Sequence, residues 1–184
     1  LYMEEDGQAE VARVERKIQS SLESLLATPH WDRLAECGQV GCVLIPEMAH
    51  TFMGELKVYG AADLAYEHRG TLHVIDWKTG REDDSQGFQV LLSTWVLTRE
   101  QPELGRFVAN GHLHLLAAGA YREVVVSDDL EERVAAAIDQ GVVEMRSYLR
   151  DSDANAPHDM SEFPRQESGL CPCCNFTSLC ERLQ

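Results

Sequence analysis

The chain has 184 residues, 44% of them apolar, and a formal net charge of −15, with three lysines against thirteen arginines. That length and apolar content suit one globular domain able to bury a core, and no apolar run is long enough to span a bilayer. Six cysteines lack the spacing of an extracellular disulfide framework, and no secretory signal, repeat or low-complexity tract is visible; the expected setting is a reducing cytoplasm, with metal binding favoured over disulfides.

In chain order, Val11, Val14, Ile18, Leu22 and Leu25 recur at helical spacing and predict a helix over 7–26 that stops before Pro29. A linker follows, in which His30, like the later His50, is expected only to hydrogen-bond. Residues 40–45 read as a buried strand ending at Pro46. Residues 55–66 alternate as a single strand, with Leu56, Val58, Ala62, Leu64 and Tyr66 on one face and Asp63 on the other. After a turn over 67–70, residues 71–78 return as its hairpin partner. Beyond Thr79-Gly80, Asp84 or Ser85 is expected to cap a helix through about Thr98. Its core face would be Phe88, Leu91, Leu92 and Trp95, with Gln89 and Ser93 together on another face.

Residues 107–117 and 121–126 predict two further strands, with His112 and His114 read as hydrogen-bonded strand histidines rather than metal ligands. Asp128 with Glu131 forms a capping-box signature for an amphipathic helix to about Arg150, with Leu130, Val134, Ile138, Val142, Met145 and Leu149 as its core stripe. Residues 151–170 are polar and read as a surface loop leading into a cysteine-rich end.

The chemistry concentrates in Gly60-Ala61-Ala62-Asp63 and Val74-Ile75-Asp76-Trp77-Lys78-Thr79-Gly80. Side chains alternate along a strand, so Asp76 and Lys78 share a face. Phosphodiester hydrolysis needs a divalent cation to polarise the phosphate and acidify a water, and hard oxygen ligands suit that cation. Magnesium keeps most of its waters, so Asp63, Asp76 and the carbonyl of Trp77 are sufficient anchors, with manganese as a substitute. Lys78, beside two carboxylates, is expected to stay protonated, orienting the water and offsetting negative charge.

These residues resemble the PD-(D/E)XK nuclease superfamily, and within it the RecB-like branch of helicase-linked nuclease domains and CRISPR adaptation exonucleases. Gly60, Asp63, Asp76, Lys78, Thr79, Gly80 and Gln89 fall in register with its pattern, with Trp77 in the usual tyrosine place. The resemblance implies an α/β restriction-endonuclease-like core over 1–150, a mixed central sheet flanked by helices, with a metal-stapled tail over 151–184 packed on it. The implied activity is that of a metal-dependent DNA nuclease, an exonuclease or end-processing enzyme acting on single strands or opened ends. Gln89 stands where the family places a glutamine near the phosphate backbone, and Ser93 replaces a tyrosine that contacts base or backbone. Val11 replaces the histidine of the first helix, which leaves Glu15 or Glu10 to supply a carboxylate.

Cys171, Cys174 and Cys180 have C-x2-C-x5-C spacing, and thiolates so grouped bind iron clusters or zinc. In the RecB-like branch this spacing supplies three ligands of a [4Fe-4S] cluster. The family's fourth cysteine, ahead of the first helix, has no counterpart. Cys173, Cys37, Cys42 or a residue upstream of Leu1 are the alternatives, and zinc competes with the cluster. A metal there would contribute folding free energy to a tail with little core of its own. The chain begins without methionine and is expected to be part of a longer polypeptide, with a helicase or other domain upstream.

The acidic balance is unfavourable for gripping a polyanion. Positive charge near the motif is limited to Lys57, Arg69, Lys78 and Arg81. A locally basic groove, a partner that supplies affinity, or a high-salt or GC-rich source each reconciles the two. The rival reading is a nuclease-like domain that binds DNA or a protein without cutting, favoured by Val11, Ser93 and the acidity, and opposed by the joint presence of Asp63, Asp76 and Lys78. A third reading is a zinc-knuckle interaction domain in which Asp-x-Lys is incidental.

Overall fold

The computed structural model describes residues 4–37, 42–43, 49–80, 83, 85–163, 166–169, 171, 174–176 and 180. The chain divides into two compact units, Leu1–Ala136 and Ala137–Gln184. No described helix is long and apolar enough to cross a membrane.

The first unit opens with helix α1 (Glu4–Leu26) and a short helix α2 (His30–Cys37). The latter occupies the stretch expected to be a linker. His30 begins it with its imidazole 1% exposed, so a tertiary contact stabilises a segment too short to hold a helix on its own. Strand β1 (Cys42–Val43) falls inside the expected 40–45 strand, whose remaining residues lie outside the described ones.

The predicted single strand over 55–66 is two strands. β3 (Leu56–Gly60) pairs with β2 (Ala49–Met53) through the two-residue turn Gly54-Glu55, and β4 (Leu64–His68) pairs with β5 (Thr71–Lys78). The break between them sends Ala62 into the cluster with Ala65, Leu72 and Val74, while Leu64 and Tyr66 join Ile75 in another. Alternation alone would have placed Ala62, Leu64 and Tyr66 together; an irregular step at 61–63 resets the phase.

The β4–β5 hairpin turns at Arg69 (φ 53°) and Gly70 (φ 82°), the paired positive angles that match hairpin twist. Beyond β5, helix α3 (Ser85–Glu100) crosses back to strand β6 (Val108–Leu115), which runs parallel to β5 and is followed by antiparallel β7 (Ala120–Val125). The described strands of this sheet lie in the order β1-β4-β5-β6-β7, mixed in direction and flanked by helices, as the restriction-endonuclease-like fold requires. α3 is capped by Asp83 and not by Ser85, while Asp84 lies outside the described residues: the Asp83 carboxylate accepts the Ser85 N–H at 2.7 Å, and the Gln86 side chain accepts the Asp83 N–H at 3.2 Å. The first is an N-cap bond to the second helical N–H, and the second is the return half of a capping box.

One sheet face packs aliphatic residues under α3, where Val90 meets Leu113 and Leu115, and Leu97 meets Leu72 and Val74. Phe88 and Leu92 are only half-buried there; Val90, Ser93, Thr94, Val96 and Leu97 hold the buried positions with Leu91 and Trp95. The other face carries a chain of imidazoles. His30 Nδ1 lies 2.6 Å from Tyr66 Oη, and its Nε2 lies 3.0 Å from His114 Nε2. His73 Nδ1 lies 2.8 Å from His112 Nε2, and His112 Nδ1 lies 2.7 Å from Tyr121 Oη. The Tyr121 hydroxyl donates to Glu123, so it accepts the His112 Nδ1–H, and His112 Nε2 in turn accepts the His73 Nδ1–H. His112 and His114 are thus hydrogen-bonded strand histidines, as expected from sequence, within a network that sequence did not reveal.

Helix α4 (Leu130–Ser147) ends earlier than Arg150, and Leu149 belongs to a short strand, β8 (Leu149–Asp151). Of its expected stripe Val134 is buried, Leu130, Ile138 and Val142 are half-buried, and Met145 is exposed. Glu131 does not close a capping box with Asp128. Its carboxylate accepts the Trp95 indole N–H at 2.5 Å and pairs with Arg99 at 2.8 Å. In the second unit, the expected loop over 151–170 contains β9 (Ala156–Pro157), paired with β8, and a 3₁₀ turn at Met160–Glu162. The metal-stapled tail is not seen among the described residues.

Burial holds His30 and His112 down to a pKa of about 3 and His73 to about 4, with neighbouring imidazoles and Arg33 adding to the effect. Above pH 7 both folded and unfolded chains hold these rings neutral. Below about pH 6.5 the unfolded chain binds protons that the folded chain refuses, so stability is lost from there down towards pH 4. The melting temperature is expected to fall by at least about 5 °C between pH 7.5 and pH 5, with a smaller slope for His112→Phe. Thermal melts across that window check it, and a flat wild-type profile would refute it.

Candidate active site

The site is built at the end of β5. Leu72 and Val74 face α3, and alternation carries Asp76 and Lys78 to the same side, while Trp77 points to the other. Asp76 is 4% exposed. The Lys78 ammonium donates to its Oδ1 at 3.1 Å and lies 2.9 Å from its Oδ2. The second oxygen has charge contact without hydrogen-bond geometry, and it is buried with no hydrogen-bond partner. Burial raises the Asp76 pKa, Lys78 opposes that rise, and the nearby Asp63 carboxylate adds to it.

Asp63 is exposed and held by the backbone of β5 on both sides of Asp76. Its N–H donates to the Ile75 carbonyl at 3.0 Å, and its Oδ2 accepts the Trp77 N–H at 2.6 Å. The carboxylate takes the place of a strand carbonyl, so the hairpin ladder is extended one step before β4 begins at Leu64. Trp77 stacks on Trp31 with ring centroids 6.1 Å apart.

Gly60 and Ser93 set the approach to Asp63. A Cβ on Gly60 would lie 2.9 Å from Val96 Cβ and 3.2 Å from the Ser93 backbone, so only glycine lets this segment lie against α3. The Ser93 hydroxyl donates to the Ala61 carbonyl at 2.7 Å. Ser93 is therefore 4% exposed and buried beneath the segment, not beside Gln89 on an outer face. Gln89 is exposed and makes no hydrogen bond to a described residue.

The structure joins Asp63, Asp76, Lys78 and the Trp77 backbone. It does not bring Glu15 to them: Glu15 is exposed on α1, and no group of three or more His, Cys, Asp or Glu among the described residues is arranged to hold a metal ion. A two-carboxylate site still fits a magnesium-like ion, because the buried Asp76 Oδ2 lacks a hydrogen bond and the adjacent Asp63 charge would be relieved by a cation. Cys171, Cys174 and Cys180 are not gathered into such a group. Cys171 Sγ accepts the Ser168 N–H at 3.2 Å and Cys174 Sγ the Phe176 N–H at 3.4 Å, while Cys173 lies outside the described residues. Sequence reasoning missed the Ser93 contact, whose only local signal is the small residue one helical turn before Val96 and Leu97.

A family model of the PD-(D/E)XK nuclease superfamily matches residues 2–181, and the chain belongs to that superfamily. No curated protein matches it.

Gly60→Ala is expected to destabilise the fold by about 1–3 kcal/mol, because the methyl meets helix backbone as well as a side chain. Denaturant titration measures this; an unchanged midpoint would mean that the contact with α3 is not tight.

Proposed function

We propose that this member of the PD-(D/E)XK nuclease superfamily is an active, magnesium- or manganese-dependent deoxyribonuclease of the RecB-like kind, working from single-stranded or opened ends. One observation carries the reading: a buried aspartate keeps an unbonded oxygen next to a lysine ammonium, with a second carboxylate pinned beside it by the same strand. Burying a carboxylate is costly, and a buried one whose Oδ2 meets a lysine ammonium at 2.9 Å but no hydrogen bond, with a second carboxylate beside it, suits a cation better than it suits packing.

Asp76 and Asp63 would hold the metal ion, magnesium and manganese being those that such nucleases typically use. When bound, it polarises the phosphate and makes water a better nucleophile. Lys78 holds its ammonium at Asp76, where it orients the attacking water and offsets the charge that develops on the phosphoryl oxygens. Gln89, on the exposed side of α3, is assigned to positioning the phosphate backbone. A helicase or other partner that delivers opened DNA answers the poor intrinsic grip expected of a chain with net charge −15. The spacing of Cys171, Cys174 and Cys180 is retained as a structural element of the proposal, iron–sulfur or zinc, without a part in hydrolysis; stoichiometric iron or zinc in protein purified without oxygen is its signature.

The test is cleavage of end-labelled single- and double-stranded DNA with magnesium or manganese. Lys78→Ala is expected to lose at least about 100-fold in rate with its circular dichroism unchanged. Asp63→Asn keeps an oxygen for the Trp77 N–H, so it is expected to melt like the wild type and yet not cut. Full activity in Lys78→Ala would sink the assignment, and no cutting by intact wild-type protein would favour a binding-only domain.

A further inference from the structure

The apolar stripe of α1 is not covered within the first unit. Ile18 is 54% exposed, and Val14 and Leu22 are exposed to a similar degree. Together with Leu116 they wall a cavity of about 470 Å³, within the ~300–1,000 Å³ range of small-molecule sites. Thr79, bonded directly to Lys78, forms part of the same wall, so the cavity adjoins the proposed hydrolytic centre.

Two features mark it as a ligand site rather than a packing defect. Ser21 lines it, is 8% exposed, and has a buried hydroxyl with no hydrogen-bond partner. Such a group costs free energy unless something supplies a bond. Arg13 and Lys17 also line it, putting two cations on one side of an apolar hollow in a chain of net charge −15. Arg13 is shared with Glu10 at 2.5 Å, one turn earlier. Aliphatic walls, a lone hydroxyl and bordering cations complement a ligand with a flat apolar face, a polar edge and an attached anion.

We propose that this cavity receives one unpaired nucleotide of the strand being cut, next to the scissile phosphate. The base lies between Ile18, Leu22 and Leu116, the Ser21 hydroxyl bonds the base edge or sugar, and Lys17 with Arg13 faces the adjoining phosphate. This rests on the nuclease reading and extends it: a base held in a duplex cannot enter, so selection for unpaired ends arises from α1 and not from the metal-binding carboxylates.

The experiment compares a single-stranded oligonucleotide with one carrying abasic sites near its end, in binding to the wild-type protein and in cleavage. The wild type is expected to favour the intact strand about tenfold, which corresponds to about 1.4 kcal/mol. Ile18→Trp, an exposed position whose indole fills the hollow, is expected to erase that preference while still processing the abasic strand; Ser21→Ala is expected to reduce it. Equal wild-type affinity for both strands, or an undiminished preference in Ile18→Trp, would overturn the proposal, as would a stable dimer through α1 that binds no DNA. Failure of cutting alone, with the binding preference intact in the wild type and lost in Ile18→Trp, would overturn the hydrolytic reading and leave the cavity assignment standing.

Discussion

The Asp63 carboxylate on the Trp77 N–H is the contact around which the site is organised. It does two things at once. It satisfies a backbone donor at a point before β4 has begun, and it fixes one carboxylate beside another that is buried and disfavoured in its charged form by desolvation. Without the break at 61–63, Asp63 would lie on a regular strand and its side chain would not turn back to β5. The break depends on Gly60 lying close to α3 and on the Ser93 hydroxyl holding the Ala61 carbonyl. A core contact and a chemical site are therefore parts of one arrangement.

The two faces of the sheet are built on different physics. Under α3 the contacts are aliphatic and non-directional, so side chains of similar volume can substitute for one another. On the opposite face, neutral imidazoles and two tyrosines are joined by bonds that each need one proton and one lone pair. Adding a proton to such a chain sets two donors against each other, so the network demands a specific protonation state as well as a shape. It also explains why α2 exists: His30 anchors a short helix through bonds made to β4 and β6.

Much of the site was legible in the sequence because its parts are local. The Asp-x-Lys pair shares a face by strand alternation, the 67–70 turn and β5 follow from composition, and the ordered motif located Asp63. The hairpin β2–β3, the phase reset at 61–63 and the buried place of Ser93 were not legible, since each depends on what lies across the fold. The same holds for Glu131, whose local pattern suggested a helix cap but whose carboxylate is taken by Trp95 and Arg99.

By itself, then, the sequence grouped Asp63, Asp76 and Lys78 in one ordered motif and located α1, β5, α3 and β6, because periodicity and motif spacing are properties of neighbours along the chain. Only the tertiary structure decided that Asp76 is buried with an unbonded oxygen, that four histidines meet, and that the apolar stripe of α1 walls a cavity beside Thr79. Burial, desolvation and the completion of hydrogen bonds are set by groups distant in sequence, and no local pattern encodes which of them will meet.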